Sequence, residues 1–114
     1  MFLEEILTAV EQETSIAPTA FNSRIENHIP AINYTLYRAS DDGAVAQWRL
    51  QIRITAETFQ EVMDIEGKVR DLLTTVGDEY KYNCVIHING GGTLEDEMTG
   101  YPQQLIYFDV ITRG

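Results

Sequence analysis

Trp48-Arg49-Leu50-Gln51-Ile52-Arg53-Ile54-Thr55, and the helical pattern that begins almost at once behind it, decides the fold of this chain. Every second residue is apolar. In a strand this puts Trp48, Leu50, Ile52 and Ile54 on one face and Arg49, Gln51, Arg53 and Thr55 on the other. Such a strand buries one face and keeps the other wet, with polar groups that a partner can also use. The period then changes: Phe59, Val62, Met63, Val69, Leu72, Leu73 and Val76 fall on one helical stripe. Thr58 is placed to cap that helix, with Thr55 as its rival, and Gly77 to stop it. Gly67 inside it costs about 1 kcal/mol relative to alanine unless it permits close packing.

Working outward, Asn33 to Ser40 alternates Tyr34 and Leu36 against Thr35 and Tyr37, a strand pattern. Asp41-Asp42-Gly43 then reads as a hairpin turn, because Asp-Gly tolerates the positive φ of tight turns. The second strand runs from about Ala44 to Thr55, long enough for a core pairing in its middle and a projecting ribbon near the turn. Before the hairpin, Phe2, Leu3, Ile6, Leu7 and Val10 recur at helical spacing and predict a helix over about residues 2–13, with Glu4 and Glu5 favouring its dipole. Thr14 to Ile32, with Pro18 and Pro30, is aperiodic and longer than ordinary connections, as functional or mobile loops are. After the second helix, Tyr80 to Asn89 alternates again. Gly90-Gly91-Gly92 breaks that strand, and an acidic loop from Thr93 to Gly100 leads through Tyr101-Pro102 to a last strand, Gln103 to Thr112. There Ile106, Phe108 and Val110 face inward, while Leu105, Tyr107 and Ile111 make the other side partly apolar. The predicted order is α-β-β-α-β-β: an α+β two-layer sandwich with a four-stranded, mostly antiparallel or mixed sheet and helices on one face. Arg49, Arg53, Lys81, His87 and Tyr107 then occupy the second face.

At 114 residues the chain reads as one domain, residues 1–114, able to bury a single core. Eighteen acids against eight bases give a net charge of −10, a field that repels phosphate and argues against nucleic acid as a partner. One cysteine, Cys84, excludes an internal disulfide and a cysteine-rich metal site, and its place in a strand suits a small buried side chain. No stretch has the length of a membrane span, and Met1-Phe2-Leu3-Glu4-Glu5 lacks the basic start and apolar run of a secretion signal, so the expected location is cytoplasmic.

Site chemistry is not legible. A phosphate cradle at Gly90-Gly91-Gly92 would need a following lysine and a helix N-terminus; Glu95, Asp96 and Glu97 follow instead. Those three acids lack the regular oxygen spacing of a calcium loop. His28 and His87 stand apart from any metal-ligand spacing. Ser15, Ser23 and Ser40 have no nucleophile context. The expectation is therefore no enzyme, no metal and no cofactor. Tyr37, Tyr101 and Tyr107 suit an interface, where tyrosine offers area at small entropy cost, while Trp48 and Tyr34 suit the core.

Several pieces in this order resemble the tail-completion or tail-terminator proteins of long-tailed bacteriophages and prophages, to which the terminator of phage lambda is a distant structural relative. They are the short N-terminal helix, the Arg24-Ile25 to Pro30 lead-in to Asn33-Tyr34-Thr35-Leu36-Tyr37, and the Arg49-Leu50-Gln51-Ile52-Arg53-Ile54 strand entering Thr58-Phe59-Gln60-Glu61-Val62. The closing piece is Tyr101 to Val110, ending Leu105-Ile106-Tyr107-Phe108-Asp109-Val110. The resemblance spans nearly the whole chain, and its force lies in order and spacing. Ile32-Asn33 stands where that family commonly has an alanine-rich lead-in and a proline, which leaves room for the minor capsid or head–tail joining proteins. The resemblance implies a structural virion protein: a homo-oligomeric ring, commonly a hexamer, that caps the tail tube, ends its polymerisation and meets the head–tail connector. It implies no catalytic residues and no cofactor. Such a subunit can be monomeric when free; it works in the host cytoplasm during assembly and then in the virion. Arg49, Arg53, Tyr37, Glu95, Asp96, Glu97, Tyr101 and Tyr107 are the expected interface residues. A small non-viral binding domain is the other reading left open.

Overall fold

A computed structural model describes residues 2–20, 29–41, 45–74, 85–95 and 100–113. Among the described residues the chain is α+β, with two helices and one five-stranded mixed sheet. Its elements are α1 (Phe2–Thr14), β1 (Thr19–Ala20), β2 (Ala31–Asp41), β3 (Val45–Thr55), α2 (Phe59–Leu73), β4 (Val85–Glu95) and β5 (Pro102–Arg113). The sheet order is β1-β2-β3-β5-β4. Beyond the four strands expected there is thus a fifth, β1, which runs parallel to β2 and pairs Thr19 with Asn33 and Ala20 with Tyr34. It arises inside the stretch expected to be an irregular connection. Two residues leave no periodicity to detect, and Asn33 supplies the tie by donating from Nδ2 to Thr19 Oγ1 at 2.9 Å.

β2, β3, β5 and β4 pair antiparallel in turn, so β3 and β4 run parallel on either side of β5, joined through α2. The face anticipated from the alternation is the buried one. Leu50, Ile52 and Ile54 of β3, Ile106, Phe108 and Val110 of β5, Ile32 of β2 and Ile86 of β4 form one core. Ile6 and Val10 of α1 and Val62, Ile65, Val69 and Leu73 of α2 close it from the helical side. Tyr34 and Trp48 are half-buried against it. Trp48 Nε1 donates to Thr112 Oγ1 at 3.1 Å, and the Arg38 guanidinium sits 4.6 Å over the indole, so the hairpin end of the core is closed by a cation on an aromatic face.

Local chemistry sets the helix ends. Ser15, in the left-handed region at φ 63°, ends α1 with its N–H donating to Glu11 O at 2.8 Å. Thr58, not Thr55, caps α2, its Oγ1 accepting from the Glu61 N–H at 3.2 Å. That helix ends at Leu73, with Thr74 as C-cap, earlier than a stop at Gly77 requires; Val76 and Gly77 lie outside the described residues. Phe59 is 53% exposed and does not join the apolar stripe; the first buried residue of α2 is Val62. Ile65 and Glu66 are buried instead, and Glu66 keeps its carboxylate 2.8 Å from Arg70 Nε. Nothing lies within 4 Å of where a Cβ on Gly67 would stand, so close packing is not its reason.

The larger correction concerns Gly90-Gly91-Gly92. These glycines do not break the strand. The register shift between Ile88 and Gly91 makes a bulge that contains Gly90, while Gly91 and Gly92 pair with Ile106 and Leu105; β4 continues to Glu95, so Thr93 to Glu95 belong to the sheet rather than to a loop. Gly90 has φ +109°, and a Cβ on Gly91 would overlap the Leu105 carbonyl oxygen. Bulges need such permissive residues, and here glycine serves the sheet rather than ending it. Asp42, Gly43, Cys84 and residues 80–83 lie outside the described residues.

Candidate functional site

Alternation along β2, β3 and β5 carries a second set of side chains to the face away from the helices. In register across the strands, Tyr37 stands beside Arg49, Arg49 beside Asp109, and Asp109 beside position 87. The next rows are Thr35–Gln51–Tyr107 and Asn33–Arg53–Leu105, and then Ala31–Thr55–Gln103. Tyr37, Arg49, Arg53 and Tyr107, four of the expected interface residues, thus share one face within three consecutive rows.

Arg49 is its electrostatic centre. Its Nε lies 3.4 Å from Asp109 Oδ1, with the two side chains 36% and 21% exposed. Its pKa is raised, first through its hydrogen bond with the Tyr37 side chain; partial burial opposes this, and the negative charge of Asp109 adds to it. The guanidinium is held charged and oriented between two neighbouring strands. Tyr37 itself is 45% exposed, so the cluster opens to solvent at the hairpin end.

Toward the other end the same face closes. Asn33, Thr55 and Gln103 are buried polar residues, and Gln103 Nε2 donates to Thr55 Oγ1 at 3.2 Å. Asn33 Oδ1 is buried with no hydrogen-bond partner, although its amide nitrogen has Thr19 and Ala20 as acceptors. Buried polar groups of this kind cost free energy when left unpaired, so they specify register more than they add stability.

The remaining expected residues sit elsewhere. Glu95 is the exposed last residue of β4, opposite Pro102, and Tyr101 is half-buried just before β5. They lie at the end of the sheet remote from Tyr37, not on the Arg49 cluster. Asp96 and Glu97 are outside the described residues. Asp109 went unassigned from sequence because its role depends on strand pairing; its alternation with Tyr107 and Ile111 was the available signal.

Charge divides by layer. α1 holds Glu4, Glu5, Glu11 and Glu13 with no cation, and α2 holds Glu61, Asp64, Glu66 and Asp71 against Lys68 and Arg70. β3 carries Arg49 and Arg53 and no acid. Among the described residues no three His, Cys, Asp or Glu side chains come together as metal ligands. A shallow depression of about 410 Å³ on the outer side of α1, lined by Glu4, Glu5, Thr8, Ala9 and Gln12, draws its described walls from that helix alone. No helix among the described residues is long and apolar enough to cross a membrane. No protein-family model matches the chain, and no curated protein matches it at a significant level.

Proposed function

We propose that this chain is a structural protein of a long-tailed phage or prophage, which caps the tail tube, ends its polymerisation and helps join tail to head. It works by shape and charge and carries out no catalysis. The observation that carries the reading is the broad polar–aromatic sheet face centred on Tyr37, Arg49 and Asp109, half open to solvent, backed by an acidic helical layer. A ring subunit needs a surface of mixed character toward its neighbours and another toward its target, and the two layers offer surfaces of opposite sign. The sequence of elements, with a helix, a long hairpin, a crossover helix and a closing hairpin, also keeps the order of the pieces that resemble tail-completion proteins.

On this reading the chain forms a homo-oligomeric ring, commonly of six, on the tube end. It meets the tube protein on one side and the connector on the other, in the host cytoplasm and then in the virion. The exposed Glu95 and the acidic run that it opens touch a neighbouring subunit or the tube. Electron microscopy of particles lacking this gene product tests the assignment: tails of abnormal length, or heads left unjoined, support it, and normal virions end it. Pull-down of tube protein against portal-side proteins separates a terminator from a head–tail adaptor.

A further inference from the structure

Among the described residues β4 is the last strand of the sheet on its side, and from Ile88 to Glu95 every described side chain position except half-buried Gly92 is exposed. Two of these positions are large and apolar: Ile88 is 39% and Leu94 46% exposed. An edge strand of this length with exposed aliphatics is a template for pairing with another strand, which proteins ordinarily suppress with charge. Suppression by charge is missing here, since Val85–Glu95 contains one carboxylate and no lysine or arginine. The glycine run leaves the backbone bare. At Gly92 neither φ nor steric room calls for glycine, and glycine within a strand often marks the close approach of another backbone.

The opposite edge is also poor in charge. β1 covers only Asn33 and Tyr34 of β2, and Thr19, Ala20, Thr35, Leu36 and Tyr37 are all uncharged, with Tyr37 exposed. The direction of the strands supplies the rest. β2, β3, β5 and β4 alternate, and four is an even number, so a second copy in the same orientation brings its β2 edge antiparallel to β4. Cyclic assemblies with their axis along the strands keep all copies in that orientation.

We infer that copies of this chain join edge to edge, the Ile88–Glu95 stretch of one copy adding antiparallel to the β1–β2 edge of the next, so that the sheet runs on through the assembly. This deepens the ring proposed above and rests on that reading for its biological setting. In a chain of net charge −10 these edges carry few charges, Glu95 on β4 and Arg38 and Asp41 on β2, so two copies approach there at a smaller electrostatic cost than through their acidic helices. The bulge at Gly90 twists the edge, which limits pairing to a strength that salt can tune.

The test is sedimentation velocity of the full chain across protein concentration and salt, with hydrogen exchange on the associated form. The expected result is concentration-dependent association that strengthens with salt, with new protection at the amides of Ile88 to Glu95. Leu94→Lys, at an exposed position, keeps the circular dichroism of the parent and weakens association by roughly tenfold or more. Because its β1–β2 edge is intact, labelled Leu94→Lys chain still joins wild-type assemblies and shortens them. A chain monomeric at every concentration and salt overturns the inference, as does unprotected β4 in an assembly, or Leu94→Lys chain that assembles like wild type or is refused by wild-type assemblies. A monomer that still caps tail tubes removes the edge pairing and leaves the tail-end function standing; assemblies that leave tube length unchanged do the reverse.

Discussion

On the helix-covered face of the sheet, Leu50, Ile54, Phe108 and Val110 are wholly buried, and apolar side chains from six elements meet there. The opposite face uses the same strands and is equally regular in register, yet it passes from buried amides and hydroxyls at Asn33, Thr55 and Gln103 to the half-open ion pair at Arg49 and Asp109. The first face is held by removal of apolar area from water, which is non-directional and tolerates small shifts. The second depends on hydrogen bonds and charge, whose strength follows position and exposure. A sheet face that is polar is therefore not a uniformly solvated face, and its open end is the part available to a partner.

Breaking the apolar face should have the largest effect. Phe108→Ala is expected to cost about 3–5 kcal/mol in urea denaturation, because it deletes the largest fully buried side chain next to both helix-facing strands. A loss under about 1 kcal/mol would mean that the core is not packed around it. Next comes the glycine stretch of β4. Gly91→Ala should cost about 2–3 kcal/mol, since the new methyl must displace the Leu105 carbonyl, whereas Gly92→Ala, with open space around it, should cost almost nothing. Equal costs at the two positions would refute that geometry.

The polar face is sharpened by two smaller effects. Gln103→Ala removes the donor to Thr55 in a buried setting and should cost about 1–3 kcal/mol by the same assay. Arg49→Ala, at the open end, should lower stability less than Gln103→Ala does, since exposed ion pairs contribute little. On the proposed reading, pull-down of tail proteins by this variant should nonetheless fall. Stability and binding that change together at both positions would erase the distinction between closed and open ends.

Much of this was legible in the residues. The alternation over Trp48–Thr55 and Ile106–Val110 assigned both faces, because a two-residue period survives any strand partner. Helical spacing located α1 and α2, while the cap of α2 stood between Thr58 and Thr55 until the structure gave Thr58. What pairing decides was not legible: β1 is too short for a pattern, and Asp109 gains meaning only opposite Arg49. Gly90–Gly92 read as an interruption because a bulge and a loop use the same residue for the same conformational reason. Of the expected interface set, the face residues Tyr37, Arg49, Arg53 and Tyr107 were found together because alternation links them. Glu95 and Tyr101 were grouped with them by composition, which carries no position.

On the proposed reading this fold stops a polymer by fitting its end. The length distribution of tail tubes grown in vitro from tube protein, with and without the purified chain, puts that to the test. Added chain should arrest elongation and be found at tube ends; tubes that grow to the same lengths, with the chain absent from their ends, would exclude the reading.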